Sequence, residues 1–132
     1  MTKILIVEDE PLVRGFLRRQ LAGRFEVVEA ISAIHALDIW RIHNDIEVLI
    51  CDAELGLVSG MELACLLRAW NGRLRTILTS DLASDQWTER QRVELQELPA
   101  DDVLILVKPF TPADLTAALT KLMQAEAVAA TL

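Results

Sequence analysis

The chain has 132 residues, a length that suits one domain around one core. Hydrophobic residues make up 52%, which excludes a disordered chain, and a formal net charge of -7 argues against a nucleic-acid surface, where Lys and Arg cluster. No apolar run is long enough to cross a bilayer, and no signal peptide is read, because Met1 and Thr2 pass almost directly into a strand.

Lys3 to Val7 reads as the first strand and leads into Glu8 and Asp9. Pro11 to Ala22 reads as the first helix, with Pro11 in its first turn, an apolar face of Val13, Phe16, Leu17 and Leu21, and Gly23 at its end. Glu26 to Glu29 is a short second strand, after which Ser32 caps a helix to about Ile42. Val48 to Cys51 is a third strand, leading into Asp52. A loop from Ala53 to Ser59 follows, then a helix from about Met61 to Trp70 that Asn71-Gly72 closes. Arg75 to Leu78 forms the fourth strand and ends at Thr79. Ser84 to Leu98 reads as one polar helix that Pro99 stops. Val103 to Val107, the most apolar strand, leads into Lys108, Pro109 and Phe110. Thr111 caps the last helix, whose stripe is Leu115, Ala118, Leu119 and Leu122. Residues 125–132 are expected to fray. Cys51 and Cys65 lie in apolar stretches and read as reduced core thiols, which fits a cytoplasmic location.

Short apolar strands alternating with helices predict a parallel α/β sheet covered on both faces. Parallel strands point the same way, so the residues after them gather at one sheet edge, where open α/β sheets bind ligands. One pocket there would hold three carboxylates (Glu8, Asp9, Asp52), the Thr79 hydroxyl and the Lys108 ammonium. Crowded carboxylates raise one another's pKa, and a divalent cation relieves this. Magnesium suits such a site, since it accepts one or two carboxylates and keeps waters or phosphate oxygens. Asp52 could then attack a phosphoryl group, whose three equatorial oxygens would meet the metal, Lys108 and Thr79. Singly, each residue has a plainer reading: a polar loop, a helix cap, a Lys-Pro turn. Their joint occurrence at successive strand ends favours chemistry.

These residues resemble the receiver domain of two-component response regulators. The resemblance rests on Ile4 to Pro11, Asp52 with Gly60 eight residues on, Thr79-Ser80 and Lys108-Pro109-Phe110, and it covers Lys3 to about Gln124. It implies a flavodoxin-like, doubly wound five-stranded parallel sheet in the order 2-1-3-4-5 with five helices. The receiver is expected over 1–124 with a tail over 125–132; no output domain is read within these residues, which suit a single-domain regulator, a relay intermediate or a domain cut from a longer protein. By the same resemblance Asp52 accepts phosphate from a histidine kinase or histidine phosphotransfer protein. Asp9 ligates Mg2+ directly, Glu8 does so through water, and the backbone carbonyl of Glu54 completes the set. Lys108 and Thr79 contact the phosphoryl group, and the Lys108-Pro109 bond is cis. Phosphorylation would change binding to a downstream protein, by shifting a pre-existing equilibrium. The chain would be a monomer or weak homodimer, catalysing only its own phosphorylation and dephosphorylation, without direct nucleic-acid or membrane binding.

Three positions depart from the family pattern. Gly56 stands where Pro is usual, four residues after the phosphoacceptor, and loosens that loop. Ile105 occupies the aromatic switch position of a chain without tyrosine, so ring rotation cannot be its signal. Glu54 and Asp81, both acidic, hold the positions that tune phosphoryl lifetime. Trp87, Arg90 and Arg92 lie near the start of the family's interaction face and are candidate partner anchors. A phosphatase or dehalogenase-like enzyme would carry a further acid or base and a cap, and a flavin protein would have a Ser, Thr or Gly-rich first loop. Neither pattern is present. A degenerate receiver that binds partners without phosphorylation is the remaining alternative.

Overall fold

The computed structural model describes the backbone of residues 1–131 and the side chains of all of these except Ser84 and residues 125–131. Five strands, β1 (Lys3–Val7), β2 (Glu26–Ala30), β3 (Ile46–Asp52), β4 (Arg75–Ser80) and β5 (Val103–Val107), form one parallel sheet in the order β2-β1-β3-β4-β5. Five helices connect and follow them: α1 (Pro11–Leu21), α2 (Ala33–Ile42), α3 (Gly60–Trp70), α4 (Glu89–Gln96) and α5 (Pro112–Thr131). The tail expected over 125–132 falls on residues whose side chains are not described, with Leu132 outside altogether. No helix among the described residues is long and apolar enough to cross a membrane.

Strand alternation divides the core. Leu5, Val7, Leu49, Cys51 and Leu78 face one side, where they join Ala36, Leu63 and Leu67 from α2 and α3. Ile4, Ile6, Val48, Ile50 and Ile77 face the other, where they join Leu17 and Leu21 of α1 and Leu115, Leu119 and Leu122 of α5. The central strands are apolar on both faces because both are covered. β5 is equally apolar in sequence, yet Val103–Leu106 are only half-buried and Val107 is exposed. It sits at the sheet edge, and α4 buries none of its own residues.

Helix starts follow local chemistry. Ser32, Ser59, Thr88 and Thr111 each accept a hydrogen bond from the backbone N–H three residues on. Thr88 and Gln91 form a reciprocal capping box, as do Thr111 and Asp114. The Thr88 box corrects the single helix expected over Ser84 to Leu98. A 3-10 turn over Ser84–Gln86 comes first, Trp87 drops into the core, and α4 begins at Glu89. The stretch Ala22 to Arg24 turns through Gly23 at φ 91, a conformation that side chains with a Cβ rarely adopt.

Candidate functional site

The strand registers bring the predicted site together. Val7 pairs with Cys51, Asp52 with Thr79, and Ser80 with Val107. Backbone bonds continue the ladder past the strand ends: Glu8 N–H to Ala30 O at 3.1 Å, Ala53 N–H to Thr79 O at 2.8 Å, and Lys108 N–H to Ser80 O at 2.8 Å. Glu8, Asp52, Thr79 and Lys108 are thus held by paired backbone and not by a free loop.

Asp52 ends β3 and is buried. Its Oδ1 accepts the Glu54 backbone N–H at 2.9 Å, and its Oδ2 lies 3.2 Å from Lys108 Nζ. Lys108 Nζ also lies 3.4 Å from Glu8 Oε1. Burial pulls the Lys108 pKa down, but the Asp52 and Glu8 carboxylates outweigh it and leave it above the ordinary lysine value. Glu8 is 1% exposed. Burial, with the neighbouring Asp52 charge, pushes its carboxyl up to about 7 against the partial relief from Lys108. Arg14 of α1 donates to the Glu8 backbone carbonyl at 2.9 Å and so fixes the turn after β1.

Glu8, Asp9 and Asp52 each offer an oxygen within 4.8 Å of the others, with Asp9 on the exposed side. Glu8 Oε2 is buried without a hydrogen-bond partner. A buried acceptor left unpaired is costly, and a cation among three oxygen donors would satisfy it. The donor set therefore fits a hard divalent ion.

Thr79 Oγ1, on the strand beside Asp52, is likewise buried and unpartnered. The Lys108-Pro109 bond is cis. Asp81 is exposed and lines a cavity of about 410 Å³ with Glu10, Phe16, Lys108 and Phe110. Gly60 packs against the end of β3 so closely that a Cβ there would lie 1.8 Å from the Asp52 carbonyl oxygen. Gly56 has no such neighbour and no positive φ, so nothing in its surroundings requires glycine.

A match to the family model of the response regulator receiver domain spans residues 4–120. The chain belongs to the response regulator receiver family. It is 36% identical over 135 residues to the virulence sensor protein BvgS of Bordetella pertussis, an alignment covering 97% of this chain and 10% of BvgS. It is 30% identical over 115 residues to a chemotaxis protein CheY homolog of Campylobacter jejuni, covering 83% of each. Among solved structures, response regulator protein TrrA from Thermotoga maritima, in complex with Mg(2+)-BeF, superposes with a TM-score of 0.76 at 26% identity, covering 92% of this chain and 99% of that one. The chain spans less than half the length of the transcriptional regulatory proteins it matches. It is thus a receiver of two-component systems, in the flavodoxin-like fold.

The remaining predicted positions are more dispersed. Ile105 is half-buried on the α3 side of the sheet, paired with Leu78. Trp87 is 3% exposed and donates from Nε1 to Leu82 O at 3.2 Å, so its ring is core and not a surface anchor. Arg90 is exposed and paired with Glu62 and Glu94, and Arg92 donates to Asp85 O. Sequence reasoning marks Ser80 only as the neighbour of Thr79 and does not mark Arg14. Arg14 carries no local signal, because its side chain reaches the Glu8 carbonyl and Glu29. Ser80 carries no signal of its own, because its partners come from two separate loops.

Proposed function

We propose that the receiver takes a phosphoryl group from a phosphohistidine donor, a histidine kinase or a histidine phosphotransfer protein, onto Asp52. The observation that carries this reading is the buried, unpartnered Thr79 hydroxyl beside an Asp52 already held by the Lys108 ammonium. An Asp52 carboxylate oxygen attacks phosphorus, the phosphorus–nitrogen bond breaks, and its electron pair returns to the donor imidazole. Lys108 neutralises one phosphoryl oxygen and Thr79 donates a hydrogen bond to another as charge spreads over them. Lys108 Nζ already lies 3.2 Å from Asp52 Oδ2, so its charge would need little reorganisation during transfer. Mg2+, held by Asp9, Asp52 and the Glu54 carbonyl, with Glu8 through water, would neutralise the remaining oxygen charge. Water attack on the same phosphorus would regenerate Asp52, and Glu54 and Asp81 would modulate that approach.

The unit over 1–124 then acts by changing its affinity for a downstream protein. Intact mass after incubation with Mg2+ and acetyl phosphate, beside Asp52→Asn, tests the reading. A single labile phosphoryl adduct absent from the variant is expected. An adduct on both proteins would move the chemistry elsewhere, and no adduct together with no beryllofluoride binding would leave a phosphorylation-independent binding module.

A further inference from the structure

Ser80 ends β4 one residue beyond Thr79, and strand alternation turns its side chain to the opposite face. It is fully buried. Its hydroxyl bonds to three groups: the Glu54 carboxylate, the Leu82 backbone N–H at 3.0 Å, and the Trp87 indole Nε1–H at 3.3 Å. A serine hydroxyl offers one proton and two lone pairs, so this one is saturated. The Leu82 and Trp87 groups are donors, so the hydroxyl proton goes to Glu54 Oε1.

Glu54 is in turn tied to the phosphoacceptor, its backbone N–H donating to Asp52 Oδ1 at 2.9 Å. A continuous path thus runs from Asp52 through Glu54 and Ser80 to Trp87, which directly follows the 3-10 turn. The indole N–H has a second acceptor, Leu82 O at 3.2 Å, so it can leave Ser80 without being orphaned. Trp87 and Ile105 lie in the same apolar cluster.

We infer that Ser80 is a positioning residue that transmits the state of the Asp52 site to Trp87, through its hydrogen bonds to the Glu54 carboxylate and the Trp87 indole. The inference rests on the phosphoacceptor reading. A phosphoryl group on Asp52 brings new negative charge close to the Glu54 carboxylate, and like charges repel. Glu54 moves off Ser80, the hydroxyl is freed to rotate, and the indole N–H shifts toward Leu82 O. This route needs no aromatic ring at position 105 and works in a chain that has Ile105 and no tyrosine.

The test uses the whole chain labelled with 15N, whose three tryptophans give three indole signals. The Trp87 signal is assigned by its loss in Trp87→Phe. Mg2+ and beryllofluoride serve as the probe, and 19F NMR reports bound fluoride independently. On binding, the Trp87 signal of the wild type is expected to move while those of Trp40 and Trp70 stay. In Ser80→Ala the bound-fluoride signal persists and the Trp87 movement is lost. A Trp87 signal that stays fixed in the wild type despite bound fluoride overturns the inference, as does one that moves as far in Ser80→Ala as in the wild type. If neither bound fluoride nor a phosphoryl adduct is found, the phosphoacceptor reading falls, and the inference falls with it.

Discussion

Glu8 makes the metal-free protein sensitive to pH, and Glu8→Gln should remove that sensitivity. The folded carboxyl titrates at about 7, against an ordinary value of 4.5, chiefly because it is buried and faces Asp52. Between those values the native state holds a proton that the unfolded chain has released. Stability therefore falls as pH rises from 4.5 through 7, and levels off above. One pKa unit corresponds to about 1.4 kcal/mol, so the full loss is about 3.5 kcal/mol at most, and solvent screening lowers it. Glutamine keeps the shape, the Lys108 contact and the neutral state at every pH. In EDTA, Glu8→Gln should match the wild type near pH 4.5 and exceed it by about 2–3 kcal/mol at pH 8. Urea denaturation in half-unit pH steps measures this. Saturating Mg2+ should reverse the order at pH 8, because the ion selects the ionised carboxylate. Parallel stability curves for the two proteins across the range in EDTA would refute the assignment of a buried, proton-holding Glu8.

Three further outcomes follow from the packing. Gly60→Ala should cost about 3 kcal/mol or more in urea denaturation and weaken beryllofluoride binding, since the new Cβ meets the Asp52 backbone at 1.8 Å and a central strand cannot yield. Gly56→Ala should raise stability by about 0.4–1 kcal/mol, because the site is open and the unfolded chain loses freedom. Thr88→Ala should cost about 1 kcal/mol and lower the amide protection of α4 in hydrogen exchange, since the variant loses half of the capping box.

The pocket was legible in the sequence because its residues follow β-strands, and strand ends in a parallel sheet have little choice of where to go. Glu8, Asp52, Thr79 and Lys108 needed only the apolar runs before them and a common strand direction. The helix caps at Ser32 and Thr111 were equally local, each a side chain bonding three residues ahead. The cis bond and the strand order came by resemblance, since neither is fixed by apolar periodicity.

Other features depended on partners far apart in the chain. A wholly apolar β5 looks buried until the strand order makes it an edge beside a helix that buries nothing. Trp87 looks like a surface anchor on a polar helix until that helix breaks and Ser80 and Leu82 receive the indole N–H. Gly60 is marked by the family pattern, but its reason is steric and becomes visible only when α3 lies across the end of β3. The path from Asp52 to Trp87 joins the loop after β3, the end of β4 and the turn before α4. Local periodicity and turn chemistry thus determined which elements form and which groups reach the sheet edge. Only tertiary packing decided which of those groups stay unpaired, which lose their charge to burial, and which are wired to one another, because desolvation and hydrogen-bond geometry depend on neighbours brought from elsewhere in the chain.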